Sequence, residues 1–368
     1  MPTRSVTRRS LASRAADLAV LVLGLASVLA VLEMAVRPFY PAPPGILAPQ
    51  VRHRASRAYG WEMVPDPVAN SFAVAAPINE RGCRRMDWGA GVVGSTGPRW
   101  LAAGGGNMFG VAVTGEATFA SLAALGDSSG DALLVNSATE GYSLDQKVRR
   151  IEDEAVVSSP DLILLEVDSS DLRVSGGGDS SRTNQVVEAT LQRLNRRPPP
   201  SEDGWSWVLG QSRLASLLDG RVRALFRLGR GLPTRGAGAG ESTVRPIDLL
   251  LGRETKAIDD AWRLVGADMD RVALAADRVG ARVCVVALPL PAQLRRPYPR
   301  AAFQSRLLRL CRERGFLFVD PLPAFREARH AGARLYLPRL PWLSEAGHRV
   351  VAGQIRLELE TPLAHESE

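Results

Sequence analysis

Side chains able to attack a carbonyl or carry a proton are thinly spread through this chain. The histidines are His53, His330, His348 and His365, and no two stand at metal-ligand spacing. Ser137 and Ser143 lie in Asn136-Ser137-Ala138-Thr139-Glu140-Gly141-Tyr142-Ser143. Either could act as a nucleophile with His348 as base, if hydroxyl and imidazole came within about 3 Å. Asp168 and Asp171 follow the strand-like run Leu162–Val167. Cys83, Cys284 and Cys311 are too few and too scattered for a disulfide framework, and Cys284 and Cys311 read as small buried hydrophobes. The densest local feature is Gly104-Gly105-Gly106-Asn107-Met108-Phe109-Gly110. A glycine-rich turn from strand to helix bares N–H groups that can cradle an anion. The dinucleotide fingerprint fails at Phe109, where a third glycine is needed, and the phosphate loop fails at Val111, where a lysine is needed. A stretch without side chains can bind, but it cannot attack.

The elements that position this loop follow from periodicity. Trp100–Ala103 reads as a first strand, Ala117–Leu125 as a helix and Ala132–Asn136 as a second strand. A helix over Leu144–Val156, a third strand over Leu162–Val167, a helix over Glu254–Val279 and strands over Arg282–Leu288 and Phe316–Val319 follow. A last helix begins after Ser344, an N-cap, and runs to about Leu359. Strands alternating with helices predict a parallel sheet covered on both faces. Residues 174–252 break the rhythm with Gly176–Gly178, Pro198–Pro200 and Gly229–Gly240, and read as an insertion containing Trp205 and Trp207.

Four segments in order resemble the motifs of SGNH/GDSL-type hydrolases, of the membrane-anchored bacterial branch. The glycine loop stands where that family has Gly-Asp-Ser-x-Thr-x-Gly. Asn136–Ser143 is similar to its Asn-x-Gly-x-x-Gly-Tyr-Ser motif, and Asp168-Ser169-Ser170-Asp171 to Gly-x-Asn-Asp. Trp342-Leu343-Ser344-Glu345-Ala346-Gly347-His348 is similar to the last motif, Asp-x-His or Asp-x-x-His followed by Leu-Ser-x-x-Gly-His. Upstream, Asn79-Glu80-Arg81-Gly82-Cys83-Arg84 resembles the Asn-x-x-Gly-Phe-Arg segment of anchored relatives. The resemblance covers about Trp100 to Leu359 apart from the insertion. It implies a three-layer, flavodoxin-like α/β domain.

It also implies where a serine hydrolase would keep its nucleophile, base, orienting acid and oxyanion donors. The nucleophile place is Gly106, the base place is Trp342, and the acid place is Arg339 or Leu340. The backbone donor of the second motif falls on Ala138 or Gly141, and the side-chain donor of the third on Ser170. The helix-borne Gly347-His348 matches a second histidine of the pattern, a packing residue more often than a base. The resemblance therefore points to a pseudoenzyme whose cleft, lined by Gly105, Gly106, Asn107, Asn136, Gly141, Ser170, Asp171 and Trp342, binds envelope or exopolysaccharide sugar or acyl groups. Alternatives are an active carbohydrate or lipid esterase using Ser143 or Ser137 with His348, and a scaffold for a membrane-bound envelope complex. A membrane O-acyltransferase is the partner this setting suggests. No cofactor or metal is expected.

Composition agrees with a globular domain, at 45% hydrophobic and 23% charged residues. The net charge of +7 is almost all arginine. No zinc-finger, RNA-binding or leucine-zipper signature accompanies it, so nucleic acid is not an expected partner. Arg4, Arg8, Arg9 and Arg14 precede the apolar run Leu18–Val36, whose one charge is Glu33. About 20 apolar residues span a bilayer, and flanking arginines favour the cytoplasm. The expected organisation is a basic tail over 1–15, an uncleaved inner-membrane anchor over 16–37, and a Pro/Gly-rich lead-in with short strands over 38–97. An extracytoplasmic domain over 98–362 follows, with its insertion at 174–252. A signal peptide cleaved near Ala30 is the alternative for the apolar run.

Overall fold

A computed structural model describes residues 11–36, 45–85, 97–125, 132–169, 171–172, 180–195, 246–295, 302–338 and 340–360. The chain divides into two compact units, residues 1–43 with 201–235, and residues 44–200 with 236–368. The described part of the first unit is helix α1, Leu11–Val36. Its stretch Asp17–Val36 is long and apolar enough to cross a membrane, a test that a signal sequence near the N-terminus also passes. The helix begins within the expected basic tail, because Leu11-Ala12-Ser13-Arg14-Ala15-Ala16 contains mostly good helix formers.

In the second unit the elements run β1 (His53–Ser56), β2 (Gly60–Met63), β3 (Asn70–Ser71), β4 (Val74–Ala75), β5 (Arg99–Ala103), α2 (Gly106–Phe109), α3 (Phe119–Ala124), β6 (Leu133–Asn136), α4 (Leu144–Ser158) and β7 (Leu162–Val167). They continue through α5 (Ser180–Asn195), α6 (Pro246–Leu250), α7 (Lys256–Val279), β8 (Arg282–Ala287), α8 (Pro291–Arg295), α9 (Ala302–Arg312), β9 (Leu317–Val319), α10 (Leu322–His330) and α11 (Glu345–Glu360). Five strands form one parallel sheet in the order β6-β5-β7-β8-β9. This is the expected α/β fold.

The sheet is buried on both faces because its residues alternate between two cores. Trp100, Ala102, Leu162, Leu164, Cys284 and Val286 pack with Phe119 of α3, Phe325 of α10 and Ile355 of α11. Their neighbours Leu101, Ala103, Ile163, Leu165, Val283 and Val285 pack with Ile151 of α4, Met269 of α7 and Leu307 of α9. All three cysteines are free and buried. The helix ends follow local chemistry. Thr118 and Thr255 cap α3 and α7 through their hydroxyls. Ser344 caps α11, accepting from Gly347 N at 3.2 Å.

Residues 45–85, expected as a lead-in, are built into the domain. Val51, Met63, Ala69 and Ile78 belong to the same core as β5 and α11. Of the expected insertion, α5 and α6 are described and most of the remainder lies outside the described residues. The Asn195 side chain at the end of α5 accepts from His53 N at 2.9 Å and donates to His53 O at 2.8 Å, fastening the helix to β1.

Arg84 ties the lead-in to the segment that follows the glycine loop. Its guanidinium is buried and donates to the carbonyls of Phe109 and Gly110 at 2.7 Å, Val113 at 2.8 Å and Ala75 at 3.1 Å. It also lies 5.0 Å from the Phe109 ring centroid. Burial pulls its pKa down to about 10. A planar fork can serve several carbonyls where an ammonium reaches fewer. Arg84→Lys is therefore expected to lower stability by about 2–3 kcal/mol by leaving buried carbonyls unpaired, read as a reduced denaturant midpoint with unchanged slope.

Candidate functional site

The glycine loop leaves the carboxyl end of β5, which has β6 on one side and β7 on the other. In an open parallel sheet the crevice at such a reversal is where ligands sit. The loop turns directly into α2, and two of its glycines are required by close approach. A Cβ on Gly104 would stand 2.5 Å from Glu166 Oε2 and would overlap Met108. A Cβ on Gly106 would overlap the Trp342 indole, with Cδ1 at 2.9 Å and Nε1 nearer still.

Trp342 thus fills the space into which a residue at 106 would project. Its half-buried ring meets Phe72 edge-on, with centroids 5.9 Å apart and planes at 67°. Phe72 reaches it from the β3–β4 turn with φ of +60°, a conformation that costs a bulky residue energy. The segment carrying Trp342 is stitched to the loop, since Leu343 N donates to Asn107 Oδ1 at 2.9 Å. Leu337 N donates to Trp342 O at 2.8 Å. Leu340 packs partly buried against the core. Arg339 and Ser170 lie outside the described residues.

Beneath the loop is a buried polar cluster. Glu166 Oε2 accepts from Gly105 N at 3.1 Å and Met108 N at 2.7 Å, capping the first turn of α2. Lys147 of α4 donates to Asp171 Oδ2 at 2.7 Å and to the Glu166 carbonyl at 3.1 Å. Asp171 also accepts from Asp168 N at 2.8 Å, which closes the turn after β7. Burial pushes Asp171 up to about 7, against the pull of Lys147. Burial also pushes Glu166 up, again opposed by Lys147. Burial works against the Lys147 charge, but Asp171 and Glu166 hold it above the ordinary lysine range.

The other candidate residues have structural partners. Asn136 donates to Met108 O at 3.0 Å and accepts from Ala138 N at 3.2 Å. Ser137 Oγ donates to Ala102 O at 2.9 Å. Ser143 caps α4, its hydroxyl and amide both meeting Gln146 Oε1. Gly141, with φ of +85°, is placed against Trp61 and α5 instead of the glycine loop. His348 is fully buried, stacked on Phe119 at 5.5 Å, and its Nδ1 accepts from Phe119 N at 3.0 Å. Neither serine hydroxyl is bonded to it. Of the expected cleft, Gly105, Gly106, Asn107 and Trp342 come together, Asn136 supports α2 from below, and Asp171 lies in the ionic cluster.

Sequence reasoning passed over Lys147, Glu166, Phe72 and the role of Arg84. Two of these carry a readable signal. Glu166 is an acid inside the apolar strand Leu162–Val167, and Lys147 is one of very few lysines. A charge in a strand covered on both faces must have a partner or a proton.

No family model matches the chain, and no curated protein matches it. Solved structures to which it is similar include TesA, at 12% identity over 71% of this chain and 98% of that one, with a TM-score of 0.40. A member of the lipolytic protein G-D-S-L family from Veillonella parvula is 12% identical over 72% of this chain and 99% of that one, with a TM-score of 0.39. A catalytic mutant of Axe2, an acetylxylan esterase from Geobacillus stearothermophilus, is 14% identical over 75% and 97%, with a TM-score of 0.38.

The setting of His348 has a measurable consequence. Burial, helped by the nearby Arg84 charge, pulls it from 6.5 to about 3. A depressed folded value means that its contribution is present above 6.5 and is lost as pH falls towards 3. His348→Asn keeps an acceptor for Phe119 N and removes the titration. Between these limits the wild type should lose up to about 1.4 kcal/mol per pH unit more than this variant, measured by denaturant unfolding across the acid range.

Proposed function

We propose that the second unit is an SGNH/GDSL-type hydrolase fold that has kept its architecture and lost its hydrolytic chemistry. On this reading α1 holds it at the inner membrane, with the arginine-rich N-terminus cytoplasmic and the domain outside. The observation that carries the reading is the contact of Trp342 with Gly106. One residue lacks a nucleophile, and the other, at the place of the base, occupies the nucleophile's volume. Restoring a serine at 106 meets the indole first, and an indole does not accept a proton at neutral pH. The alternative esterase, using Ser137 or Ser143 with His348, requires hydroxyls and an imidazole that are bonded elsewhere.

The aromatic pair Trp342–Phe72 favours a binding role for the same place. Aromatic faces suit the apolar faces of sugar rings, and the half-buried Trp342 ring, backed by the buried Phe72, is the face such a ligand would meet. The proposed ligands are sugar or acyl groups of an envelope polysaccharide, presented near a membrane O-acyltransferase or another member of an envelope complex.

Full-length protein in detergent should show no turnover of p-nitrophenyl acetate or acetylated xylan above the buffer rate. Gly106→Ser should remain inactive and lose about 1–3 kcal/mol of stability through overpacking against Trp342. Acetylated xylo-oligosaccharide should quench tryptophan emission in the wild type and not in Trp342→Phe. Hydrolysis abolished by one substitution would overturn the non-catalytic reading, and quenching that persists in Trp342→Phe would remove the platform.

A further inference from the structure

The cluster beneath the glycine loop does not balance its charges. Lys147, Glu166 and Asp171 are all buried, at 1%, 1% and 5% exposure. With both acids ionised their sum is one negative charge. The single ammonium is in direct contact with Asp171, at 2.7 Å. To Glu166 it offers a bond to the main-chain carbonyl. The Glu166 carboxylate takes two neutral donors instead, the Gly105 and Met108 amides, on one oxygen. An ionised carboxylate in a dry interior without a contacting cation costs several kcal/mol, and such a group keeps its proton instead.

We propose that Glu166 is a neutral carboxylic acid at physiological pH, so that the floor of the Gly104–Gly110 loop is a proton-binding site. The groups facing it are Lys147 from α4, the Gly105 and Met108 amides from the loop and α2, and Asp168 and Asp171 from the turn after β7. Tyr336 approaches Asp168 from the segment before Trp342. Asp168 adds negative charge near Glu166 and so opposes its ionisation further. The coupling to the surface is short. A Cβ on Gly105 would stand 3.6 Å from Glu166 Oε1 and 3.9 Å from Lys147 Nζ, and the next residue is Gly106, on which Trp342 rests. Losing the proton adds a charge directly under that contact.

A raised folded pKa gives stability that is complete below the unfolded value near 4.5 and is lost as pH rises through the folded one. Glu166→Gln keeps an oxygen for both amides and cannot ionise. In full-length protein it should unfold at the wild-type temperature at about pH 4 and increasingly above it towards about pH 9, because between those limits only the wild type releases a proton on unfolding. A variant that is destabilised at the lower pH and follows the wild-type profile to the higher one would overturn the proposal. The wild type alone supplies a second readout. The Glu166 carboxyl carbon resonance should stand at the protonated position at neutral pH, and an ionised shift there would overturn the proposal even if the variant failed to fold.

Discussion

The Trp342 indole and the bare Cα of Gly106 share one volume, and much of the surrounding structure keeps them together. Asn107 holds the Trp342 segment through Leu343. Phe72 accepts an unfavourable backbone conformation to meet the ring. Arg84 binds the carbonyls that follow α2, fixing the far end of the glycine loop. Glu166 fixes the near end. Each contact restricts the same short segment. A side chain at position 106 must therefore displace an indole that is tied at several points.

The buried polar side chains around the glycine loop share a pattern. Most of them bond to the main chain. Arg84 pairs with carbonyls, Glu166 with amides, and Asn136 and Ser137 with the backbone of the first motif and β5. His348 pairs with the amide that opens α3. The Lys147–Asp171 contact is the fully buried ion pair of this region. These residues hold loops at the carboxyl end of the sheet.

How much of this was legible in the sequence depends on the range of the interactions. The strand Leu162–Val167 is legible to the residue, because burial on both faces leaves a run that is apolar except for Glu166. The helix start at Ser344 is legible because caps are local. The glycine loop was placed by its order among the other motifs. The packing of residues 45–85 was not legible, since two-residue strands among prolines and glycines leave no periodicity and their partners are distant in the chain. The same limit hid the Glu166, Lys147 and Asp171 cluster, assembled from α4, β7 and the turn after it. The meeting of Gly106 and Trp342 was foreseen only as two positions of one degenerate site. Their steric exclusion arises only when the fold packs Trp342 over Gly106.

If the domain is non-catalytic as proposed, the folded protein presents no activated serine at the carboxyl end of this sheet. The most direct measurement is exposure of the folded, full-length protein to a fluorophosphonate, followed by mass spectrometry of the intact chain and its peptides. The account predicts an unmodified mass and no labelled peptide. Stoichiometric labelling of any one serine, abolished by prior heat denaturation, would contradict it.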